Sequence, residues 1–444
     1  MAGRVVNLPA QATALLLFLA CVFGSTDPRS REIRGASRIP SQFSEEECMA
    51  IKEALKGAIQ IPTVSFSPEK SNTTALAEFG DYIHKGQLQT EGQGWQTYTG
   101  DLDKAILQAL ELLLTRNYRP RRSFFIALGH DEEVYGLKGA RQIASLLQAR
   151  GVKLAFLVDE GSFILEGFIP KLKKPVAMIS VTVKGILDLM LQVNMTPGHS
   201  SAPPKETSIG ILSAAVSRLE KTPMPNMFGS GPLEKTLNLL ANEFSFPTNI
   251  VLKNLWLFRP IVSRLLEKNH ITNALIRTTA APTMFNAGVK ENVIPPLAQA
   301  TINFRIHPSQ TMHEVLELVK KTMADDRIQM RVLRFTDPVP ISPSDDQALG
   351  YQLLQQTIKS VFPEVNIVVP GICIANADCR HYANITNGIY LFNPVFLQPE
   401  GFSSIHGINE KISVQSYQNQ VKFIFELMQN ADTNTEPVPH LHEL

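Results

Sequence analysis

In the first part of the chain, segments with the hydrophobic spacing of a helix alternate with short, continuous hydrophobic runs. Lys104–Arg116 and Leu137–Ala149 have apolar residues at the three- and four-residue intervals that place them on one face of a helix. A short continuous apolar run follows each of them, Ser123–Leu128 and Leu154–Val158, and such runs are typical of strands buried on both faces. Helices that alternate with buried strands predict a parallel sheet covered by helices.

The order of elements changes in the middle of the chain. The pattern there predicts strands and helices at Leu187–Met195, Ser208–Leu219, Ala298–Ile306, Met312–Ala324 and Ile328–Phe335. With an insertion between Lys221 and about Thr278 left aside, this is the β-α-β-β-α-β order of a ferredoxin-like domain.

The first pattern then returns, with helices and strands at Asp346–Phe362, Val365–Val369, Gly388–Phe392 and Val414–Met428. We therefore expect an α/β fold, a mixed and mostly parallel sheet with helices on both faces, into which a ferredoxin-like α+β domain is inserted. The expected boundaries are residues 40–181 and 339–431 for the two parts of the α/β domain, 182–338 for the inserted domain and 432–444 for a tail.

Composition and charge exclude one class of partner and one kind of metal site. Hydrophobic residues make up 44% of the 444 residues, which is enough for a globular core. The formal net charge of +1 lacks the basic bias of nucleic-acid-binding proteins. The sequence contains four cysteines and no Cys-x-x-Cys pair, so any metal site would use histidines and carboxylates.

The first 25 residues have the organisation of a secretory signal peptide. Arg4 supplies the positive start, Ala12–Phe23 is an apolar run of about a dozen residues, and Gly24 and Ser25 suit a cleavage site. The alternative is an uncleaved membrane anchor, but the run is shorter than the roughly 20 residues of a membrane span. We therefore expect secretion through the endoplasmic reticulum and no stable membrane span. Two glycosylation acceptors agree with this route, Asn72-Thr73-Thr74 and Asn384-Ile385-Thr386.

Acidic residues follow both predicted strands of the first part of the chain. His130-Asp131-Glu132-Glu133 comes after the first strand and Asp159-Glu160 after the second. Ligands bind at the carboxyl ends of parallel strands, and carboxylates gathered there repel each other unless a cation compensates them. The alternative is that these carboxylates cap the following helices. The residues alone leave both interpretations open.

Six motifs give the chain a resemblance to a known family. They are LGHDEE, LVDEGS, NMTPGHSSAPP, ENVIPPLAQATINFRIHP, ADCRHY and IHGINEKI, in this order. In order and spacing they resemble the di-zinc aminoacylase/carboxypeptidase family of metallopeptidases, from about Arg38 to the C-terminus. The resemblance implies a hydrolase with two Zn²⁺ ions that cleaves, and in reverse forms, the amide between a fatty acyl group and an amino acid. The partners it implies are the N-acyl amino acid, the fatty acid and the amino acid, together with a homodimer.

The resemblance also implies roles for individual residues of the first part and the C-terminal part of the chain. Glu132 is the general base that moves a proton from water to the leaving amine. Glu133 and Asp159 each hold a zinc ion, and His406 completes one of the coordination spheres. Arg380 lies on the substrate side of the site.

On the inserted domain, which the resemblance makes a lid and a dimerisation domain, three further residues have implied roles. His199 reaches the developing oxyanion when the domains close or across a dimer. Asn292 and Arg305 hold the substrate, and the planar guanidinium of Arg305 suits a carboxylate.

One family motif is missing. The family has a His-x-Asp motif upstream of the first acidic cluster, and the His of this motif binds zinc. In this chain His84 and His130 are 46 positions apart, and no His lies between them. Lys85–Gly100, rich in Gly, Gln and Thr, stands in its place as an irregular loop, and the domain is truncated between residues 85 and 103. Asp103 is either a remaining bridging ligand or, with Asp101, a cap of the following helix.

The missing motif has two expected consequences. A zinc ion that loses a His ligand has too few protein ligands for a tetrahedral site, so we expect poor activity. The loss of central strands exposes sheet edges and lowers stability. Two alternatives remain open: a non-catalytic relative that binds N-acyl amino acids or pairs with the complete enzyme, and a splice product without a stable fold.

Overall fold

The computed structural model describes residues 18–22, 38–59, 65–67, 70–71, 74, 101–129, 131–169, 172–375, 377–402 and 411–433. Side chains are described for most of these, but not for residues 18–22, 57–59, 65–67, 70–71, 101–104, 134 and 402. His130 and His406 lie outside the described residues, and so does the whole predicted irregular loop, Lys85–Gly100. The chain divides into two compact units. One consists of Met1–Ile179, Ser342–Val368 and Ala377–Leu444, and the other of Ser180–Ile341 and Val369–Asn376.

The described helices are numbered in chain order. They are α1 Glu45–Ile59, α2 Asp101–Thr115, α3 Ala140–Ala149, α4 Ser208–Lys221, α5 Leu233–Leu240, α6 Thr248–Lys253, α7 Leu255–Leu266, α8 His270–Leu275, α9 Met312–Met323, α10 Leu349–Val361, α11 Pro399–Phe402 and α12 Val414–Thr433. In the described part of the chain, no helix combines the length and the apolar character needed to cross a membrane.

The described strands are numbered in the same way. They are β1 Phe18–Val22, β2 Ser65–Ser67, β3 Lys70–Ser71, β4 Ser123–Ala127, β5 Phe156–Asp159, β6 Ile164–Leu165, β7 Val176–Val183, β8 Gly185–Asn194, β9 Gly198–His199, β10 Thr279–Ala287, β11 Val293–Ile294, β12 Leu297–Ile306, β13 Ile328–Thr336, β14 Ile367–Cys373, β15 Ile389–Leu391 and β16 Phe396–Leu397.

A mixed sheet, formed largely by residues of the first unit, has the order β16-β6-β7-β15-β5-β1-β4, with β14 also paired to β7. Strands β15 and β5 are parallel, as are β16 and β6, whereas β6 and β7 are antiparallel. The predicted mixed α/β sheet is therefore confirmed. The apolar runs that predicted β4 and β5 were placed correctly to within two residues at each end.

The position between β4 and β5 is occupied in the described structure, whereas β4 has a described partner on one side only, so the expectation of exposed sheet edges stays a prediction. Strand β1 lies there and pairs antiparallel with both neighbours, from Phe18 opposite Ala127 to Val22 opposite Ser123 on one side. On the other side Leu19 lies opposite Val158. These five residues belong to the apolar run that the sequence indicated as part of a signal peptide.

Helix α12 packs against α1, α2 and α10 and is buried on more than one face. Tyr417, Val421, Phe423, Phe425 and Leu427 are all completely inaccessible to solvent. A helix buried on several sides has no polar face to keep in water, so its position is fixed by packing.

Polar contacts also tie the C-terminal turn of α12 to the segment before β4. The buried carboxylate of Asp432 accepts hydrogen bonds from the Tyr118 hydroxyl at 2.7 Å and from the Arg121 and Arg122 amides at 2.7 and 2.8 Å. Burial and this carboxylate raise the pKa of Tyr118, so its hydroxyl stays a donor. The C-terminal helix thereby fixes the start of β4.

The second unit has the predicted β-α-β-β-α-β order, formed by β8, α4, β10, β12, α9 and β13. Its four strands lie in the order β10-β12-β8-β13 and all neighbouring pairs are antiparallel. Buried and partly exposed residues alternate along β12, which places Ile302, Phe304 and Ile306 against the helices. The ferredoxin-like prediction is confirmed, and the insertion forms α5 to α8 with an apolar cluster of its own.

Candidate functional site

The turn after β4 is organised by the carboxylate of Asp131. Its two oxygens accept hydrogen bonds from the backbone amides of Lys138 and Gly139, each at 2.7 Å, and the residue is 5% exposed. These amides would otherwise have no partner before helix α3. The Asp131 carboxylate therefore holds the turn up to Gly139, the N-cap residue, and α3 begins at Ala140 rather than at the predicted Leu137.

Inside this turn the chain passes directly against Asp378. Tyr135 and Gly136 have positive φ angles of 89° and 64°, and the Gly136 amide donates to the Asp131 carbonyl at 2.6 Å. A Cβ atom added at Gly136 would lie 1.9 Å from Oδ1 of Asp378. The glycine is required here because the backbone and a buried carboxylate occupy the space of any side chain.

Replacing Gly136 by alanine is expected to destabilise the folded protein by at least about 2 kcal/mol, because the methyl group overlaps the Asp378 carboxylate at a positive φ. The measurement is urea unfolding of the variant. Gly151→Ala is the matched control: φ there is also positive, at +70°, but no heavy atom lies within 4 Å of the added Cβ. Equal losses in the two variants would contradict the close approach to Asp378.

The end of β5 carries a second buried carboxylate. Asp159 is completely inaccessible to solvent; its Oδ1 accepts from the Glu160 amide at 2.8 Å and its Oδ2 from the Cys379 amide at 3.1 Å. The second bond joins β5 to the 3-10 turn Asp378–Tyr382. Asp159 and Asp378 are thus brought together although they are far apart in the sequence.

The carboxylates of this region resist ionisation. Burial, followed by the charges of Glu160 and Glu133, raises the pKa of Glu132 well above its ordinary value. Burial and the charges of Glu160 and Asp378 do the same to Asp159. The pKa of Asp378 rises to about 7, mainly through burial, although Arg380 opposes the shift. The cluster therefore has more negative charge than its surroundings stabilise.

Two basic side chains follow Asp378, and they balance only part of that charge. Nη2 of Arg380 lies 3.7 Å from Oδ1 of Asp378, and both side chains are buried. His381 Nε2 lies 3.1 Å from the Tyr135 carbonyl, to which it donates a hydrogen bond. Burial and the charge of Arg380 lower the pKa of His381 to about 4, so its ring is neutral at pH 7.

Arg380 is therefore a cation of this region, and its guanidinium forms an ion pair with Asp378. Both oxygens of Asp378 are buried and accept no hydrogen bond from the residues that the structure describes. A carboxylate in this state is stabilised by a further positive charge, and a bound divalent cation would supply one.

The donor set for a metal is incomplete in the described part of the chain. No group of three or more His, Cys, Asp and Glu side chains there is arranged to hold a metal ion. Asp159 is buried and Glu133 is exposed. Asp103 lies in the first turn of α2 with its side chain outside the description, and His406 lies outside it altogether. The charge of the cluster fits a cation, but the described residues do not fit a complete zinc site.

On the second unit, two of the predicted substrate residues are brought together by the short antiparallel pair β9 and β11. His199 lies opposite Val293, and the Ser200 amide donates to the Asn292 carbonyl at 3.1 Å. Nδ1 of His199 accepts from the Ser201 amide at 3.1 Å, so in the neutral ring the proton is on Nε2. The imidazole is exposed and presents an N–H donor.

Arg305 lies on β12 in a row of polar side chains that crosses the sheet. Its Nε donates to Oδ1 of Asn303 at 3.3 Å, and Asn303 donates to Asp188 at 2.6 Å. Nη1 of Arg305 and Oδ1 of Asn292 are both buried without a hydrogen-bond partner among the described residues. Unpartnered buried polar atoms of this kind indicate a place for a polar ligand group.

Sequence reasoning missed Lys184, which lies between β7 and β8 and is 2% exposed. Its ammonium donates to the carbonyls of Ala274 and Arg277, each at 2.9 Å. Burial and the charge of Arg305 lower its pKa to about 7, and burial and Lys184 together lower the pKa of His307 to about 4. Arg305 thus lies in a positive environment.

Asp378 and His381 were also missed as parts of the site. A charged residue within an otherwise buried apolar run was the signal for Lys184, and the ADCRHY motif contains the signal for Asp378 and His381.

Comparison with known proteins places these observations in a family. Residues 181–330 match the peptidase dimerisation domain. The N-fatty-acyl-amino acid synthase/hydrolase of Mus musculus is 69% identical, and the match covers 100% of both chains. The alignment is 503 positions long and this chain has 444 residues. At least 59 aligned positions of the mouse protein therefore have no counterpart in this chain. The length difference agrees with the internal deletion that the missing motif indicated.

Two solved structures share the fold. A dipeptidase from Saccharomyces cerevisiae, Dug1p, superimposes with a TM-score of 0.52 at 11% identity and covers 88% of this chain and 98% of its own. An M20 family metallo-carboxypeptidase from Sulfolobus solfataricus has a TM-score of 0.50 at 18% identity and covers 75% of each chain. Identity over the full length, the dimerisation domain and this fold together show that the chain belongs to the N-fatty-acyl-amino acid synthase/hydrolases of the M20 peptidase family.

Proposed function

We propose that this chain hydrolyses, and in reverse condenses, the amide between a fatty acyl group and an amino acid, at a rate well below that of its longer relatives. The observation that carries the proposal is the position of Glu132, partly buried among the acidic residues that follow β4 and β5. The full-length likeness to N-fatty-acyl-amino acid synthase/hydrolases supplies the substrate class.

Glu132 is the proton carrier of the proposed reaction. It accepts a proton from the attacking water and donates it to the nitrogen of the leaving amino acid, so that one carboxyl group serves as base and then as acid. The reverse condensation uses the same steps in the opposite order. Because burial and the neighbouring charges of Glu160 and Glu133 raise its pKa, Glu132 acts as a base only at a pH at which enough of it is ionised.

Zinc is the proposed metal, and Glu133, Asp159, His406 and Asp103 are the residues that would hold it. When bound, zinc polarises a carbonyl group and makes water more acidic. The sequence lacks the His-x-Asp motif of the family, and the described carboxylates do not form a complete site. We therefore propose that zinc binds weakly and that weak binding is the cause of the low rate.

The second unit is proposed to bind the substrate. His199 presents an N–H donor suited to the oxyanion that develops on the carbonyl carbon. Arg305, with a buried Nη1 that lacks a partner among the described residues, suits the carboxylate of the amino acid, and Asn292 is proposed beside it. Arg380 of the first unit is proposed as a further substrate-side residue.

Comparison of two substrates tests this function. An N-oleoyl amino acid should be hydrolysed, and its amino-acid amide, which lacks the carboxylate, should be hydrolysed about 10-fold or more slowly. Arg305→Lys should remove most of this difference, whereas Arg331→Lys, an exposed arginine on β13, should keep it. No hydrolysis of either substrate at any zinc concentration would contradict the proposal.

The hydrolysis rate is expected to rise with pH into the neutral range rather than to level off near pH 4 to 5. The base must be ionised, and its raised pKa moves the acidic limb of the rate profile to higher pH. Saturating Zn²⁺ should move this limb back toward lower pH, because a cation favours the ionised carboxylate. The measurement is kcat/KM against pH with and without added zinc. An acidic limb near the ordinary glutamate pKa of about 4.3 without zinc would contradict the raised pKa of Glu132.

We also propose that the chain enters the secretory route and forms a homodimer. The apolar run Ala12–Phe23 supports secretion, and the side chain of Asn384, in one of the two acceptor sequences, is exposed. The peptidase dimerisation domain at residues 181–330 supports a dimer.

A second candidate function is suggested by the missing aligned positions, which are also the reason for the low hydrolysis rate proposed above. A chain that lacks at least 59 aligned positions and a zinc-binding motif, but retains the dimerisation domain, would act as a binding or dimerisation partner of the complete enzyme. Mixed dimers with a longer relative, detected by co-purification of differently tagged chains, would support this function. Bound zinc with full turnover would exclude it.

A further inference from the structure

Two cations lie on the same face of the four-stranded sheet of the second unit. Arg305 of β12 lies opposite Ile186 of β8, and Lys184 directly precedes β8. Side chains two residues apart along a strand point to the same face, so Lys184 and Ile186 share the face of Arg305. The other face carries Leu187 and Phe304, which belong to the apolar core formed with α4 and α9. The two cations are therefore neighbours on the face opposite these helices.

Neither cation forms an ion pair with a carboxylate among the residues that the structure describes. The Lys184 ammonium donates to the carbonyls of Ala274 and Arg277, each at 2.9 Å. The Arg305 guanidinium donates to the amide oxygen of Asn303 at 3.3 Å. Two neighbouring positive charges that are bound only to neutral oxygens repel each other, and an anionic ligand beside them would relieve this repulsion.

Other titratable groups close to this pair do not compensate its charge. His307, directly after β12, is buried, and its pKa of about 4 leaves the ring neutral at pH 7. Arg277 gives its carbonyl to Lys184, and its guanidinium is paired with Glu267. The carboxylate of Asp188 on β8 forms its ion pair with an arginine of β13, at 3.5 Å. None of these described groups supplies a free negative charge.

The two cations differ in what they can touch. Lys184 is 2% exposed and its ammonium is engaged by two carbonyls, so it cannot contact a ligand directly. Arg305 is partly exposed, and its Nη1 has no hydrogen-bond partner among the described residues. A ligand carboxylate would therefore bind to Arg305, and Lys184 would act on it through Arg305.

Lys184 also fixes the backbone next to Arg305. The carbonyls it binds belong to Ala274 in α8 and to Arg277 in the connection from α8 to β10. Strand β10 begins at Thr279, which lies opposite Arg305. The buried ammonium thus holds the start of the strand that flanks the guanidinium.

We propose that Lys184 is a positioning residue for the substrate carboxylate: it holds the start of β10 beside Arg305 and adds a second positive charge next to the guanidinium. The inference rests on the proposed binding of the amino-acid carboxylate by Arg305. The ligand class that Lys184 selects is an N-acyl amino acid with a free carboxylate, and it discriminates against the corresponding amide. The carboxylate is contacted by Arg305 alone of the two cations.

Equilibrium binding to the whole chain, freed of metal by a chelator so that no turnover occurs, tests this role. N-oleoylglycine and N-oleoylglycinamide differ in the carboxylate alone. Lys184→Met should weaken binding of the acid about 10-fold or more and binding of the amide less than about 2-fold, because the lost charge acts on the carboxylate. Lys320→Met, an exposed lysine of α9, is the matched control and should change neither affinity.

A second variant separates the charge from the fold. Lys184→Gln keeps N–H donors for the two carbonyls and lacks the charge, so it should show the same selective loss for the acid with a smaller loss of stability. Equal weakening of both ligands, no weakening of either, or no binding of the acid to the native chain would overturn the proposal. Selective binding of the acid without any hydrolysis would support it and contradict the proposed function; hydrolysis without this selectivity would overturn it alone.

The pH profile of binding is a readout that a purely structural role would not change. Burial and the charge of Arg305 lower the pKa of Lys184 to about 7, so the ammonium loses its proton above this pH. Between about pH 7 and 9, the affinity of the native chain for N-oleoylglycine should fall about 10-fold, and its affinity for the amide should stay constant. Lys184→Met should show no such fall for either ligand. Parallel pH profiles for the acid in the native chain and in Lys184→Met would overturn the proposal.

Discussion

Glu132→Gln is expected to lower the hydrolysis of an N-oleoyl amino acid by about 10²- to 10⁴-fold and at the same time to stabilise the fold. Glutamine cannot carry the proton, so the rate falls. The substitution also removes a carboxyl group whose pKa is raised by burial and by the charges of Glu160 and Glu133. The repulsion among the carboxylates therefore decreases, which stabilises the fold. Turnover and urea unfolding of the same preparation measure the two effects.

The stability gain has a defined pH dependence. The folded pKa of Glu132 is raised above its unfolded value, so the folded form binds more protons, and the native chain loses stability as pH rises between the two values. The Glu132→Gln variant does not lose stability in this way. Its free energy of unfolding should exceed that of the native chain by on the order of 1 kcal/mol at pH 7, and the two should be equal near pH 4. Glu364→Gln, an exposed glutamate of the same unit, is the control and should change neither quantity. A glutamine variant that is inactive but less stable at pH 7 would indicate a structural role for Glu132.

Asp432→Ala is expected to cost about 3 to 5 kcal/mol of folding free energy, a large effect for a residue outside the acidic cluster. The side chain is 2% exposed and accepts hydrogen bonds from the Tyr118 hydroxyl and from the amides of Arg121 and Arg122. Its removal leaves buried donors without a partner. The start of β4 would lose its attachment to α12, so we expect the activity to fall with the stability.

Chemical denaturation of Asp432→Ala at pH 7 measures this cost. Asp326→Ala makes the same chemical change at an exposed position and is expected to shift stability by less than about 0.5 kcal/mol. Equal stabilities of the two variants would show that the bonds around Asp432 contribute nothing net to the folded state.

The sequence predicted the elements whose burial leaves a periodic pattern. Continuous apolar runs located β4 and β5, and alternation along Leu297–Ile306 located β12, because strands in these places have one or two faces in the core. The ferredoxin-like order followed from the same pattern. The start of α3 was placed three residues early, because the turn that delays it depends on the Asp131 carboxylate and on a positive φ at Gly136.

Contacts between distant residues left no periodic signal. The pairing of Asp378 with Arg380 beside Asp159, and the burial of Lys184 near Arg305, depend on which strand ends meet in the folded sheet. The place of Phe18–Val22 in the sheet was not predictable for a related reason. An apolar run fits both a signal peptide and a buried strand, so the hydrophobic pattern alone does not indicate the pairing with β4 and β5.

We propose that the chain is a family enzyme whose metal site lacks some of its ligands. The measurement that tests it most directly is the zinc content per chain after dialysis, determined together with hydrolysis of an N-oleoyl amino acid, with the mouse relative treated in parallel. We predict less than one zinc ion per chain and a rate roughly 100-fold or more below that of the relative, which rises when zinc is added. Two tightly bound zinc ions with turnover equal to that of the relative would contradict the account.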